Sequence, residues 1–193
     1  PEIPKKYKTI LSIKDLELLI IELKKTPRFS IDLGTTSVQA MEADIVGISF
    51  SNKAHSGWYI PIQYLEKDKN NFGDNDLTFV LEKLKKLIED ENVKKTGQNI
   101  KYDALILKRF GVTIKGIEFD TMLAAHLLNP AARSIKLETL SLEHLNYEML
   151  PIEDLIGKGR NQITMDQVSL EKAAFYAIED ADVTFQLTDL YEA

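Results

Sequence analysis

Asp180 is the residue in this sequence that most needs a chemical explanation. The closing segment, residues 169–191, recurs at helical spacing. At 100° per residue, Ala173, Tyr176, Ala177, Val183, Thr184, Leu187 and Tyr191 lie within about 60° of Asp180, the spread of a core-facing stripe. Asp180 is the only charge on that stripe, and its neighbours Glu179 and Asp182 point away from it. A lone buried carboxylate costs several kcal/mol unless a cation or hydrogen-bond donors meet it. Two readings follow: a metal-binding or catalytic carboxylate, or an acid that caps backbone donors. Tyr176 shares the face one turn earlier.

Other residues have weaker claims. Asp32 ends a short strand, residues 28–32, whose alternation sets Ser30 and Asp32 on one face and Phe29 and Ile31 on the other. Acids at strand ends bind metals in α/β proteins, and they also simply terminate strands. Asp103 falls in the first turn of a helix, where the helix dipole already favours an acid. Asp120 has the position of a helix N-cap. His126 sits in an apolar helix and is expected to be packed. Gly157, Lys158, Gly159 and Arg160 form a glycine-rich loop able to touch a phosphate, a weak signal by itself. If Asp32, Asp103 and Asp180 converged, they could hold two divalent ions against a phosphodiester.

The elements that must position these residues can be read from periodicity. Ser12 and Asp15 resemble a capping box ahead of Leu16, Leu19, Ile20 and Leu23. Residues 45–50 and 58–62 are strand candidates, 66–74 an exposed loop, and 77–88 a helix. A strand at 93–97, a helix capped by Asn99 and running to 109, and a strand at 116–119 follow. Helices are predicted at 121–128 and 137–145, with a loop and a short helix in 151–164. Early antiparallel strands followed by alternating units imply an α/β fold, a mixed sheet flanked by helices.

Composition narrows the chemistry. With 193 residues, one domain spanning 1–193 is expected. The absence of cysteine excludes disulfides and zinc–thiolate sites, and the three histidines are scattered. A metal here would be held by oxygen, which favours Mg2+ or Mn2+. A net charge of −6 argues against a nonspecific nucleic-acid coat protein but suits clustered carboxylates. No apolar run is long enough for a membrane span, so no membrane partner and a cytoplasmic location are expected. Nothing suggests an oligomer. A helix running to the last residue reads as a piece cut from a longer protein.

Four segments then carry a resemblance: Phe29-Ser30-Ile31-Asp32-Leu33, Gly97-Gln98-Asn99-Ile100-Lys101-Tyr102-Asp103, Phe119-Asp120-Thr121-Met122-Leu123 and Tyr176-Ala177-Ile178-Glu179-Asp180-Ala181-Asp182. In order and spacing they resemble the 3′→5′ exonuclease (proofreading) motifs of family A bacterial DNA polymerases, within the DEDD superfamily. The segment 157–162 is similar to the polymerase I version. The resemblance implies an RNase H-like mixed β-sheet flanked by α-helices. Tyr176, where a sister branch has histidine, places the chain in the tyrosine subgroup.

The resemblance also implies roles. Asp32 would bridge two metal ions, Asp180 would ligate the first, and Asp103 would hold the second largely through water. Tyr176 would orient the attacking water. Val38, Asn99, Tyr102, Lys158 and Arg160 would contact the DNA strand. Ile152 stands where some relatives carry an aromatic. The implied partners are a single-stranded DNA 3′ end and a polymerase domain in cis, at the bacterial nucleoid. One departure stands out. The first family motif is Asp-X-Glu, and here it reads Asp32-Leu33-Gly34. Glycine cannot replace a carboxylate ligand, so an impaired, weakly metallated exonuclease is expected. The alternatives are an inactive scaffold or DNA-end-binding domain, and an RNase D-like exoribonuclease.

Overall fold

The computed structural model describes residues 3–37, 39–65, 76–132 and 134–193. Val38 and the loop expected at 66–74 lie outside the described residues.

Six strands form one sheet in the order β1-β4-β3-β2-β5-β6. They are β1 (Lys6–Thr9), β2 (Arg28–Thr35), β3 (Ile45–Ser51), β4 (Ser56–Pro61), β5 (Lys94–Gly97) and β6 (Ile117–Asp120). The central β2-β3-β4 meander is antiparallel, while β1, β5 and β6 join in parallel at the flanks. The sheet is therefore mixed, as the sequence implied. β3 is buried along its whole length, which is why it reads as a near-continuous apolar run. β1 was not anticipated. Its Lys-Tyr-Lys-Thr sequence alternates exposed and half-buried positions at an edge, and four residues give too short a period to detect.

Helices α1 (Ile13–Lys25), α2 (Asp76–Ile88) and α3 (Ile100–Arg109) cover one face. Leu16, Leu19 and Leu23 of α1 pack there with Phe29, Ile31 and Leu33 of β2. The Ser12 side chain accepts the Asp15 N–H at 3.1 Å, the start signal read from sequence. The other face carries α7 (Leu170–Glu192), with α4 (Thr121–Leu128), α5 (Leu137–Leu145) and short α6 (Glu153–Ile156) around it. Two 3₁₀ turns, Gly159–Asn161 and Met165–Gln167, complete the connection into α7. His126, expected to be packed, is exposed, because α4 buries only its Thr121 and Ala125 side.

The two faces of β2 therefore serve different purposes. Its odd-numbered residues Phe29, Ile31 and Leu33 feed the α1–α2–α3 core. Its even-numbered residues meet α7: Ser30 Oγ donates to the Ala181 carbonyl at 2.6 Å. Period-two alternation then places Asp32 and Gly34 on that same face.

Candidate active site

Asp32 and Asp180 open onto a common cleft of about 580 Å³, bordered also by Gly34, Tyr59 and Tyr176. That volume is typical of small-ligand sites. Asp32 is delivered by β2 and Asp180 by the middle of α7. Ser30, anchored to the residue after Asp180, sets the two elements against each other. Both carboxylates keep only a partial opening to solvent. Burial pushes Asp32 up to about 7. Asp180 is also raised well above the usual carboxylate range, first by burial and then by the charges of Asp32, Glu138 and Glu179. Tyr176 stays firmly protonated, because burial and the charges of Asp180 and Asp32 oppose its ionisation.

The neighbouring acids on α7 differ from Asp180 in what meets them. Glu179 accepts the Leu150 N–H at 2.7 Å and the Tyr147 hydroxyl. Asp182 accepts the Tyr7 hydroxyl at 2.6 Å, the His55 N–H at 2.8 Å and the Gln186 amide at 2.9 Å. Both are fully buried acids that tie loops and β1 to the helix. They are the donor-capping carboxylates, and they do point away from the cleft. Among the described residues, the Asp180 carboxylate meets no such donor.

Asp103 does not border the cleft. It is 3% exposed, and its Oδ2 is buried without a hydrogen-bond partner. Its carboxyl is raised well above the usual range by burial, then by Asp32 and Asp120, while the Leu33 N–H works the other way. Asp120 explains where Asp103 stands. It caps α4 through the Met122 N–H at 2.9 Å and also accepts the Asn99 and Ile100 N–H groups at 2.9 and 3.0 Å. The acid from β6 thus caps α3 from outside. Asn99, expected to cap α3 itself, makes no side-chain cap and adopts a left-handed backbone, φ 57°. It borders the cleft instead.

The remaining candidates separate. Tyr102 reaches the cleft, but its hydroxyl already bonds Thr35 Oγ1 at 3.1 Å and the Ser37 carbonyl, tethering the end of β2. Lys158 is exposed and paired with Glu153 at 2.9 Å, and neither it nor Arg160 borders the cleft. From that glycine-rich segment Gln162 does, with Ile163, Thr164 and Met165 beyond it. Ile152, noted in the sequence but not counted as a site residue, forms an apolar wall with Ile156, and Tyr59 adds a phenolic one; the sequence reading passed over these last two. The Ile152/Ile156 spacing of four was the available signal for Ile156.

The donors fit a hard cation in kind: three carboxylates, one with an orphaned buried oxygen, and no thiolate. They are not a closed cage. Among the described residues, no three His, Cys, Asp or Glu side chains gather tightly enough to hold an ion. Asp103 stands back, and residue 34 brings no side-chain oxygen.

Residues 7–191 match the model of a 3′-5′ exonuclease family. The chain belongs to that family. Its relatives include DNA polymerase I of Pseudomonas aeruginosa, 34% identical over 94% of this chain and 20% of the relative. DNA polymerase I of Borreliella burgdorferi is 36% identical over 96% of this chain and 19% of the relative. The chain thus spans about a fifth of the curated relatives it matches. Solved structures share the exonuclease-domain fold. The Pol1 POL domain of M. smegmatis, in complex with DNA primer-template and dNTP, superposes with a TM-score of 0.69 at 20% identity, over 96% of this chain and 27% of that one. Escherichia coli RNase D, an exoribonuclease, gives 0.68 at 15% identity over 97% and 44%. Brucella melitensis NrnC with bound Mg2+ gives 0.65 at 14% identity over 98% and 81%. The RNase H-like reading of the mixed sheet therefore holds.

Proposed function

We propose that the cleft is the hydrolytic site of a proofreading 3′→5′ exonuclease domain, part of a bacterial DNA polymerase I working on the nucleoid in the cytoplasm. Its substrate would be a single-stranded or frayed DNA 3′ end, and its product a 5′-nucleotide. The observation that carries this reading is the contrast among acids. Glu179 and Asp182 are saturated with donors, whereas Asp32 and Asp180 face the cleft unsatisfied and Asp103 hides an orphaned oxygen. Uncompensated acids at one place are costly unless a cation joins them.

Asp32 and Asp180 would hold Mg2+ or Mn2+, with Asp103 contributing from behind. Such ions neutralise phosphoryl charge and lower the pKa of bound water. The protonated Tyr176 hydroxyl orients the attacking water toward phosphorus. The water oxygen bonds to phosphorus and gives up a proton as the P–O3′ bond breaks, and the departing 3′ oxygen takes up a proton in turn. Asn99 and Gln162 offer amides to the strand, while Ile152 and Ile156 supply an apolar wall for the terminal base. Gly34 leaves this machinery one carboxylate short, so hydrolysis by the chain as it stands is weak.

The test compares this chain with Gly34→Glu on single-stranded DNA and on RNA, with magnesium and with manganese. A Cβ at residue 34 would meet nothing nearer than 3.7 Å, an ordinary van der Waals contact, so the backbone accepts the substitution. Restoring one ligand should raise DNA hydrolysis by about two orders of magnitude or more. No gain in a folded, DNA-binding variant would favour a second reading, a non-catalytic DNA-end-binding module, which Gly34 itself motivates. Preferential cleavage of RNA would favour an RNase D-like activity.

A further inference from the structure

Tyr59 holds an unusual place beside the empty position. Gly34 of β2 and Gly47 of β3 are paired across the sheet, and the Tyr59 phenol lies over them from β4. A Cβ at Gly47 would fall 2.1 Å from Tyr59 Oη and 2.3 Å from its Cζ, so only glycine admits the ring there. A Cβ at Gly34 would lie 4.0 Å from the same Oη. The ring is 1% exposed, yet it borders the cleft together with Asp32. Among the described residues its hydroxyl has no hydrogen-bond partner, although buried tyrosines usually find one. An unpartnered donor at the floor of a cleft is poised for something that enters the cleft.

We propose that the Tyr59 hydroxyl is a substrate-positioning group that donates to a non-bridging phosphoryl oxygen of the terminal nucleotide, in the space left by the missing side chain at residue 34. A neutral phenol can give a proton to an oxyanion but cannot replace a carboxylate as a metal ligand. It therefore acts on substrate placement rather than on the ion. This inference rests on the reading of the cleft as a nucleotide site.

Tyr59→Phe removes the hydroxyl and keeps the ring over Gly47. Binding of deoxythymidine 5′-monophosphate and of thymidine would be titrated in magnesium buffer for this chain, Tyr59→Phe, Gly34→Glu and the double variant. The expected result is a loss of about five- to tenfold in nucleotide affinity on Tyr59→Phe, the worth of one hydrogen bond, with thymidine binding unchanged. In the Gly34→Glu background the loss should shrink below about twofold, because the new side chain fills the same space. Equal nucleotide affinity in Tyr59→Phe and the parent overturns the proposal. So does an equal loss for nucleotide and nucleoside, which marks a packing role, or a parent that does not prefer the nucleotide. If Gly34→Glu restores hydrolysis while Tyr59→Phe changes nothing, only this inference fails. If the nucleotide discriminates as expected while no variant hydrolyses DNA, only the exonuclease reading fails.

Discussion

Asp103 Oδ2 is buried without a partner, and Asp32 holds its proton up to about pH 7. Both facts make the metal-free protein sensitive to charge in a definite direction. An unfolded aspartate releases its proton near pH 3.8. Between there and about 7 the folded chain keeps a proton that the unfolded chain has lost, so stability falls as pH rises through that window. In chelator, the melting temperature should be higher at about pH 5.5 than at about pH 8, and added magnesium or manganese should close the gap. A flat profile would mean that Asp32 is not raised. For the same reason, Asp103→Asn should stabilise the metal-free protein at about pH 8 by about 1 kcal/mol, and should diminish its stabilisation by metal. Denaturant melts with and without metal measure both effects. In a Gly34→Glu background with restored hydrolysis, Asp180→Ala or Asp32→Ala should abolish activity. Tyr176→Phe should be milder, because it removes an orienting hydroxyl and leaves the ligands in place. Initial rates on a labelled oligonucleotide distinguish the three.

Elements explain why part of the site was legible in sequence. Asp180 stood out because α7 is long enough for its periodicity to isolate one charge on a core stripe. The Ser30/Asp32 face of β2 followed from simple alternation, and the Ala181 contact of Ser30 matches it. The burial of Glu179 and Asp182 was illegible, because all but one of the donors that satisfy them come from residues 7, 55, 147 and 150, far away in sequence. The cap of α3 was misassigned to Asn99 for a similar reason, since the acid that does the work arrives from β6. Asp120 is accordingly a joint between two helices. Asp120→Ala releases three backbone N–H groups and should cost about 2–4 kcal/mol in denaturant unfolding. It should also loosen α3, so amide exchange at residues 99–103 should accelerate more than in α7. Uniform acceleration would argue against a local joint.

On the scale of the whole molecule, β1 and β2 are fastened to the closing helix. Arg28, at the start of β2, pairs with Glu118 at 3.0 Å and with Asp189 and Glu192 near the end of α7. Tyr7 of β1 reaches Asp182 of α7, and the Ile10 N–H donates to the Tyr59 carbonyl at 2.8 Å. β1 is only four residues long, yet it lies along the outer side of β4 from Ser56 to Tyr59. Removing the first ten residues would strip that side bare. Alternate backbone groups of β4, the Tyr59 carbonyl among them, would be left unpaired toward solvent, beside the half-buried Trp58. A shortened chain should therefore associate strand to strand at concentrations where the intact chain stays dispersed, a difference that light scattering would register. The small strand that periodicity overlooked then serves as a guard against self-association.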